Sequence, residues 1–516
     1  MTLAFHTVLA LTGVLLAAPL AARDPAPEPL PDLAAMDARG IAELFARDKN
    51  RWRREPCSFG VPVTKALEAK APTPAQIKPL RLFAEALCAD DEKRYADGAK
   101  IVAELAELNP DDPKTGLALY FANRLDDADA MIAHLRGLDN AGLGTLDRDD
   151  FWGAVRLARR TGRLAALDAL ALEWVESGKF AFLDTALYEV VAMAGLRAAA
   201  LAERGDLAAG LLVSITSPTS YIDMLTQRTY APFWPAIEAR AGANLAAIGD
   251  EHVRLARARL TNAPEDRDRF SEAAHALHYN GQFVEAAALA QRWRERAARG
   301  KAIEEGDAWA LNIEAYAYDS LGQPEKADAV FDELAKVDPD EHNWVVNFVI
   351  NRASRLVGQG RWQDGLKATD LAREVAKSQG STYAKLIIAA DRACAFQQLG
   401  RAQDAQAELA YLRENWKQGL ALTARGLMCH GFEDEAAALL LQALRDDGLR
   451  ETTLSAFETD ELDLFYTATI LPQATDLLEA YPELAAELSK HVRPMPEAFI
   501  PQAALKRVNR TEGAQR

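Results

Sequence analysis

One spacing, kept without slippage, constrains this chain more than anything else in it. A small residue is followed seven positions later by glycine and twelve positions later by a second small residue: Ala274, Gly281, Ala286; Ala315, Gly322, Ala327; Ala353, Gly360, Gly365; Ala393, Gly400, Ala405; Ala424, Gly431, Ala436. In LGQPEKADAVFDELAKVDPDE, Leu321 to Glu341, the glycine is placed to end one helix in the left-handed conformation and Pro324 suits the first turn of the next. Ala327, Phe331 and Leu334 then recur at helical spacing until Pro339 stops the run. Antiparallel helices joined by so tight a turn approach closely where small side chains meet, with larger ones such as Leu311, Tyr318 and Phe331 on the flanks. One hairpin leaves an apolar face uncovered, so the pattern predicts stacking of hairpin on hairpin. Upstream, Ala198, Gly205 and Gly210 fit the spacing, Ala86 and Gly98 fit it with Lys93 at the turn, and Gly162 opens a looser unit with Val155 and Leu167.

These units resemble the tetratricopeptide repeat family. The likeness is carried by Ala315, Tyr318, Gly322, Ala327, Phe331 and Pro339, and recurs in LGRAQDAQAEL, GQGRWQDGLKA and YNGQFVEAAALA; Ala86, Tyr95, Gly98 and Pro110 form a similar early unit. The distance between successive glycines varies here, whereas the family's repeat length is constant. The resemblance implies an all-α fold, an α/α superhelical solenoid of stacked helix hairpins, in a divergent exported member. It also implies a concave groove, lined by first helices, that binds a protein or peptide segment. If Ala315 and Tyr318 face the partner helix, the groove face carries Asn312, Tyr316 and Asp319. The matching positions are Ser271, His275 and His278; Ile350, Ser354 and Val357; Ala390, Cys394 and Gln397. That face is polar with little basic charge, and lacks the lysine and arginine array of the family's binders of C-terminal carboxylates.

The rest of the chain divides around this block. TVLALTGVLLAAPLAA is apolar, too short to span a bilayer comfortably, and ends in small residues, so 1–22 is expected to be a secretory signal peptide, with 23–32 a proline-rich linker. No later segment is long and apolar enough to span a membrane, and the expected location is periplasmic or secreted. Residues 33–138 read as a helical region with degenerate repeats, 139–259 as further degenerate repeats, 266–450 as the clear repeats, 451–488 as a helical cap and 489–516 as a basic tail. The formal charge of −17 argues against nucleic acid and anionic membrane as partners. Against that background, the segment from Ser489 holds six Lys or Arg and two acids. It is expected either to contact an acidic surface, on its own array or on a second copy in self-association, or to be disordered. A second basic run, RDKNRWRRE at Arg47 to Glu55, reads as the solvated face of a helix or as a contact for phosphate or acidic glycan.

Elsewhere the chemistry is sparse. There is no nucleophile elbow, phosphate loop, His-Glu-x-x-His, paired Cys-x-x-Cys or dinucleotide fingerprint. His275 and His278 with Glu272 share a helical face but name no closing ligand for zinc, so neither a catalytic residue nor a metal or cofactor site is assigned. Four cysteines in an exported chain point to local disulfides, Cys57 with Cys88 and Cys394 with Cys429, against four buried thiols. The stretch SPTSYIDMLTQRTYAPFWPAIEAR, residues 217–240, interrupts the repeats with three prolines and with Tyr221, Tyr230, Phe233 and Trp234. It is either a ligand-facing loop or a packed junction. The leading expectation is a noncatalytic exported scaffold that binds a protein or peptide segment, with envelope assembly as a candidate setting; the alternative is an enzyme or glycan-binding protein with its site within 139–259.

Overall fold

A computed structural model describes residues 29–47, 51–108, 114–184, 187–297, 303–457 and 469–508. The expected signal peptide, most of the proline-rich linker and 509–516 of the tail lie outside them. Among the described residues the protein is all-α, without strands; an isolated antiparallel bridge pairs Gln227 with Val492. No helix of the described residues is long and apolar enough to cross a membrane. The chain forms two compact units, the first ending at Ala198 and the second beginning at Ala199.

A single turn recurs in both units. One residue takes the left-handed conformation, and the N–H that follows it donates to the carbonyl five residues back, which closes the helix in a Schellman motif. Among the described residues this occurs nine times, with the left-handed residue at Lys93, Asp126, Gly162, Glu203, Gly281, Gly322, Gly360, Gly400 and Gly431. Arg94 N donates to Ala89 O at 2.7 Å and Gln282 N to Leu277 O at 2.9 Å, so a lysine turn and a glycine turn are built alike. Each turn residue is followed by a further helix. The Lys93 turn joins Pro74–Asp91 to Tyr95–Leu108, the Asp126 turn joins Thr115–Arg124 to Ala128–Gly137, and the Gly162 turn joins Arg148–Arg160 to Leu164–Glu176. In the second unit the Gly322 turn joins Glu305–Ser320 to Pro324–Leu334, and the Gly360 turn joins Val345–Gly358 to Trp362–Gln379.

Three of the nine turns place a charged residue at positive φ, 58° at Lys93, 53° at Asp126 and 56° at Glu203. An L side chain there costs roughly 1–2 kcal/mol relative to glycine. The unit read as Ala198, Gly205, Gly210 is therefore out of register by one half-turn. Glu203 is the left-handed residue, Gly205 is the first residue of the helix Gly205–Val213, and a Cβ on Gly210 would meet nothing within 4 Å. Shifted onto Glu203, the crossing positions become Leu196 and Ala208, both buried.

The crossing residues differ between the units. In the five regular glycine turns of the second unit they are alanine or glycine, and all are buried. In the first unit the Asp126 hairpin uses Leu119 with Met131 and the Gly162 hairpin uses Val155 with Leu167, also buried. Gly98, in the Lys93 hairpin, is small because Phe121 of the next hairpin occupies the space a Cβ would need. Most helices contact a neighbour in sequence, and in both units first helices also contact the next first helix, as Thr115–Arg124 does Arg148–Arg160 and Arg267–Tyr279 does Glu305–Ser320.

Both cysteine pairs are bonded, with Cα atoms 4.8 Å apart at Cys57–Cys88 and 5.1 Å apart at Cys394–Cys429. The second bridge ties one first helix to the next, and each closes a loop worth about 3–4 kcal/mol in the loop-entropy description. The C-terminal segment, left open by its sequence between a bound strap and disorder, is laid along the turn edge of the second unit. Arg228 N donates to His491 O at 2.7 Å and Arg493 N to Thr226 O at 2.8 Å; farther along, Asn244 Nδ2 donates to Ile500 O at 3.1 Å and Val508 N to Ser320 O at 2.9 Å. Its anchors are mainly backbone carbonyls and amides, more than an acidic surface, although Arg493 does pair with Glu238 at 2.8 Å.

Candidate functional site

Most of the groove positions inferred for the second unit are closed. Ser271, His278, Asn312, Tyr316 and Asp319 are buried, whereas His275, Ser354 and Gln397 keep partial exposure. Tyr316 does not face solvent: its ring meets Phe331 of its own hairpin edge-on, centroids 5.8 Å apart. The other positions are tied between successive first helices. Asn351 Nδ2 donates to Asn312 Oδ1 at 3.3 Å, Ser354 Oγ to Asp391 Oδ2 at 2.6 Å, and Arg355 grips Asp319 through both carboxylate oxygens. Arg355 is fully buried and also reaches Asp328 at 2.7 Å, which Arg361 shares at 2.7 Å. Close approach of helices across alanine and glycine removes these groups from water, and a polar group removed from water must be paired. Hydrogen bonds and ion pairs between successive first helices thus turn part of the expected groove lining into an internal ladder.

Burial leaves its mark on titration within this ladder. It pushes the Asp391 carboxyl up to about 6, against the Ser354 hydrogen bond and the Arg425 charge. Glu314, fully buried with Arg294 at 3.0 Å, is pushed up to about 7 because burial outweighs the arginine, with Glu333 and Glu295 adding to the rise. His275 is held neutral, its pKa lowered to about 4 first by burial and then by His252. His278 packs its ring on Phe283, centroids 5.0 Å apart. Among the described residues, the trio of potential metal-ligand atoms within reach of one another is Cys57, Cys88 and Glu92, and its two sulfurs are bonded together.

The aromatic interruption at 217–240 is packed. Tyr221, Tyr230 and Phe233 are buried, and Trp234 is half-buried with its indole N–H donating to Met224 O at 3.0 Å. Arg493 of the C-terminal segment lies over the Trp234 ring at 3.6 Å and donates to Leu225 O at 2.6 Å. A shallow, open depression beside it is lined by Glu203, Gly205, Ala208, Pro232, Phe233 and Pro235, with one carboxylate among them.

The same first-helix positions in the first unit are more open, most of all on its last hairpin. On Arg148–Arg160 they are Trp152, Arg156 and Arg159, all exposed, and Arg148 continues the stripe one turn earlier. On Thr115–Arg124 they include Tyr120 and Asn123, and on Pro74–Asp91 Phe83, Leu87 and Asp90, all half-buried. The stripes form one surface. Tyr120 Oη donates to Asp90 Oδ1 at 2.6 Å, Asn123 Nδ2 to Gly153 O at 3.4 Å, and Arg124 Nε to Tyr120 Oη at 2.9 Å. Arg124 also lies over the rings of Tyr95 and Tyr120, at 5.5 and 5.0 Å, and Lys114 over Phe83 at 5.9 Å. Desolvation and the Asp90 carboxylate together hold the Tyr120 hydroxyl above its usual range.

Three cations on this face, Arg148, Arg156 and Arg159, form no ion pair among the described residues. Asp147, just before their helix, serves its terminus: it accepts from Asp150 N at 2.7 Å as the N-cap. Sequence reading passed over this face because the Asp126 turn has no glycine to mark it; the signal it did carry was Trp152 with arginines at helical spacing, in a chain of net charge −17. No protein-family model matches the chain, and no curated protein is similar enough to it to be counted as a relative.

Proposed function

We propose that the chain is a noncatalytic, exported scaffold of the tetratricopeptide type, a helical-repeat solenoid that holds an extended segment of another protein against the first helices of the hairpins between 74 and 160. The observation that carries this reading is the contrast at one set of positions: sealed by paired side chains in the second unit, open and aromatic in the first. Rigid first helices displaying Phe83, Tyr120 and Trp152 offer large, ordered contact area, which is what peptide-binding surfaces use. The recurring Schellman turn supports the stacked-hairpin arrangement, and two disulfides fit an oxidising compartment outside the cytoplasm.

The test is capture by the mature chain from a periplasmic extract, compared with Trp152→Ala and Tyr120→Ala variants of unchanged helicity and melting temperature. The reading expects a protein held by the wild type and lost from both variants. Equal retention by Trp152→Ala, Tyr120→Ala and the wild type would move binding elsewhere and overturn it. Alkylation of the exported chain is expected to find no free thiol.

A further inference from the structure

The open face lies on an acidic molecule yet gathers positive charge. Lys114, Arg124, Arg148, Arg156 and Arg159 are set around it, and Asp90, the carboxylate within it, is taken up by Tyr120. Burying unpaired arginines under an apolar or basic partner would remove them from water without compensation, whereas carboxylates offer charge-assisted, bidentate pairing. The partner's charge is thereby specified. Its shape follows from the aromatic rings, which sit one to a helix on three successive first helices: Phe83, Tyr120 and Trp152. Packed helices lie about 8–10 Å apart, and a chain in the polyproline II form advances about 3.1 Å per residue and returns every third side chain to the same side, so such a segment crossing the three helices meets a new ring about every third residue.

We infer that this face takes an acidic, extended polypeptide segment with an apolar side chain at every third position, carboxylates between them pairing with Arg148, Arg156 and Arg159. A folded acidic domain would present its carboxylates on a convex surface and leave Phe83 and Tyr120, which are half-buried between helices, out of reach. Charge and spacing together favour a chain over an acidic glycan, which has no apolar side chains to seat on three rings. This inference rests on the proposed protein-binding role of the same face and adds the chemistry of what is bound.

Synthetic peptides test it directly on the full mature chain. The first probe repeats Glu-Asp-Phe four times. A second has the same composition with its phenylalanines consecutive, and a third replaces every acid by lysine. Binding is followed by fluorescence anisotropy of labelled peptide. The expected result is affinity for the spaced acidic peptide at least tenfold above either control. A further tenfold loss is expected in the Arg156→Glu, Arg159→Glu double variant, along with steep weakening as salt rises from 50 to 300 mM, as screened ion pairs require.

Equal binding of the acidic and lysine peptides, or of the spaced and clustered ones, would overturn the inference. So would wild-type affinity in the double variant. Chondroitin sulfate is the counter-probe: if it binds more tightly than the spaced peptide and is lost in the double variant, the face is a glycan site and the inference fails. The two readings fail separately. If a captured protein depends on Trp152 but is not displaced by the acidic peptide, the scaffold role stands and only the partner chemistry falls.

Discussion

The Asp126 hairpin of the first unit and the Gly322 hairpin of the second close with the same hydrogen-bonded turn and handle their first helices in opposite ways. Around Gly322 the crossing residues are Ala315 and Ala327, and the helix Glu305–Ser320 is buried almost all round. Around Asp126 they are Leu119 and Met131, and Tyr120, Asn123 and Arg124 still reach solvent. The turn therefore fixes the hairpin, while the neighbours packed against the first helix decide how much of it survives as surface. A family of hairpins with one backbone can hold both a sealed ladder and an exposed face.

The most severe test of that contrast is removal of one rung. Arg355→Met leaves Asp319 and Asp328 without their buried cation and is expected to cost about 3–5 kcal/mol, seen as a lower denaturant midpoint. Arg160→Ala, which breaks the half-exposed pair with Asp126 at 2.7 Å in the first unit, is expected to cost less than about 1 kcal/mol. Comparable losses would mean that the ladder is no more buried in effect than the surface pairs.

Titration sharpens the same point. Glu314 is pushed up to about 7 in the folded chain, against an ordinary value of about 4.3 when unfolded. Between those values the folded state binds the extra proton, so this group's contribution to stability is greatest below about pH 4 and falls as pH rises towards 7, flattening above it. Its size is on the order of 3 kcal/mol at most. His275 works in the opposite direction: held at about 4 when folded, it costs stability as pH falls from about 6.5 towards 4. Asp391, pushed up to about 6, adds a decline of its own that is complete near pH 6, so unfolding midpoints of Glu314→Gln are expected to lose the part of the decline that lies between pH 6 and pH 7; an unchanged decline there would show that Glu314 is not the source.

A smaller effect probes the crossing itself. Ala327→Leu adds volume where two helices touch and is expected to destabilise by about 1–3 kcal/mol. The matching change in the first unit, Met131→Leu, nearly conserves volume and is expected to cost under about 1.5 kcal/mol. The smallest change concerns the turns. Lys93→Gly is expected to stabilise by about 1 kcal/mol by relieving a left-handed lysine, and Gly322→Lys to destabilise by a similar amount. If Lys93→Gly is destabilising, interactions of the lysine side chain, not backbone preference, hold that turn.

The second unit was legible from its residues because glycine at the turn and alanine at the crossing leave a fixed spacing. The first was harder for the same physical reason: Asp126 tolerates the left-handed region well enough to replace glycine, and Leu119 with Met131 carries no small-residue mark. Gly205 and Gly210 then supplied a false register, two residues from Glu203. Cysteine spacing pointed to the bonded pairs, since each lies about one hairpin from its partner. The fate of Asn312, Tyr316 and Asp319 was hidden, because helical periodicity gives a side chain's direction and not whether a neighbouring helix stands there to cover it. The partner residues Asn351 and Arg355 lie a whole hairpin away.

The C-terminal segment bears on the order in which the protein can be completed. Each hairpin of the second unit is built from residues close in sequence, so most of the unit can form as soon as its residues are released. The edge at Thr226 to Arg228 is an exception: its backbone partners are His491 and Arg493, and Arg493 Nε reaches Leu225 O across 268 residues. Until those residues arrive, Trp234 lacks its cation and the amide of Arg228 its acceptor. Closing so long a loop adds little thermodynamic cost, since that cost grows only as the logarithm of length, but it makes the finish of one edge wait for a residue 268 positions later. A chain lacking Arg493 would therefore leave the ring of Trp234 uncapped and the edge from Leu225 to Arg228 without its backbone partners.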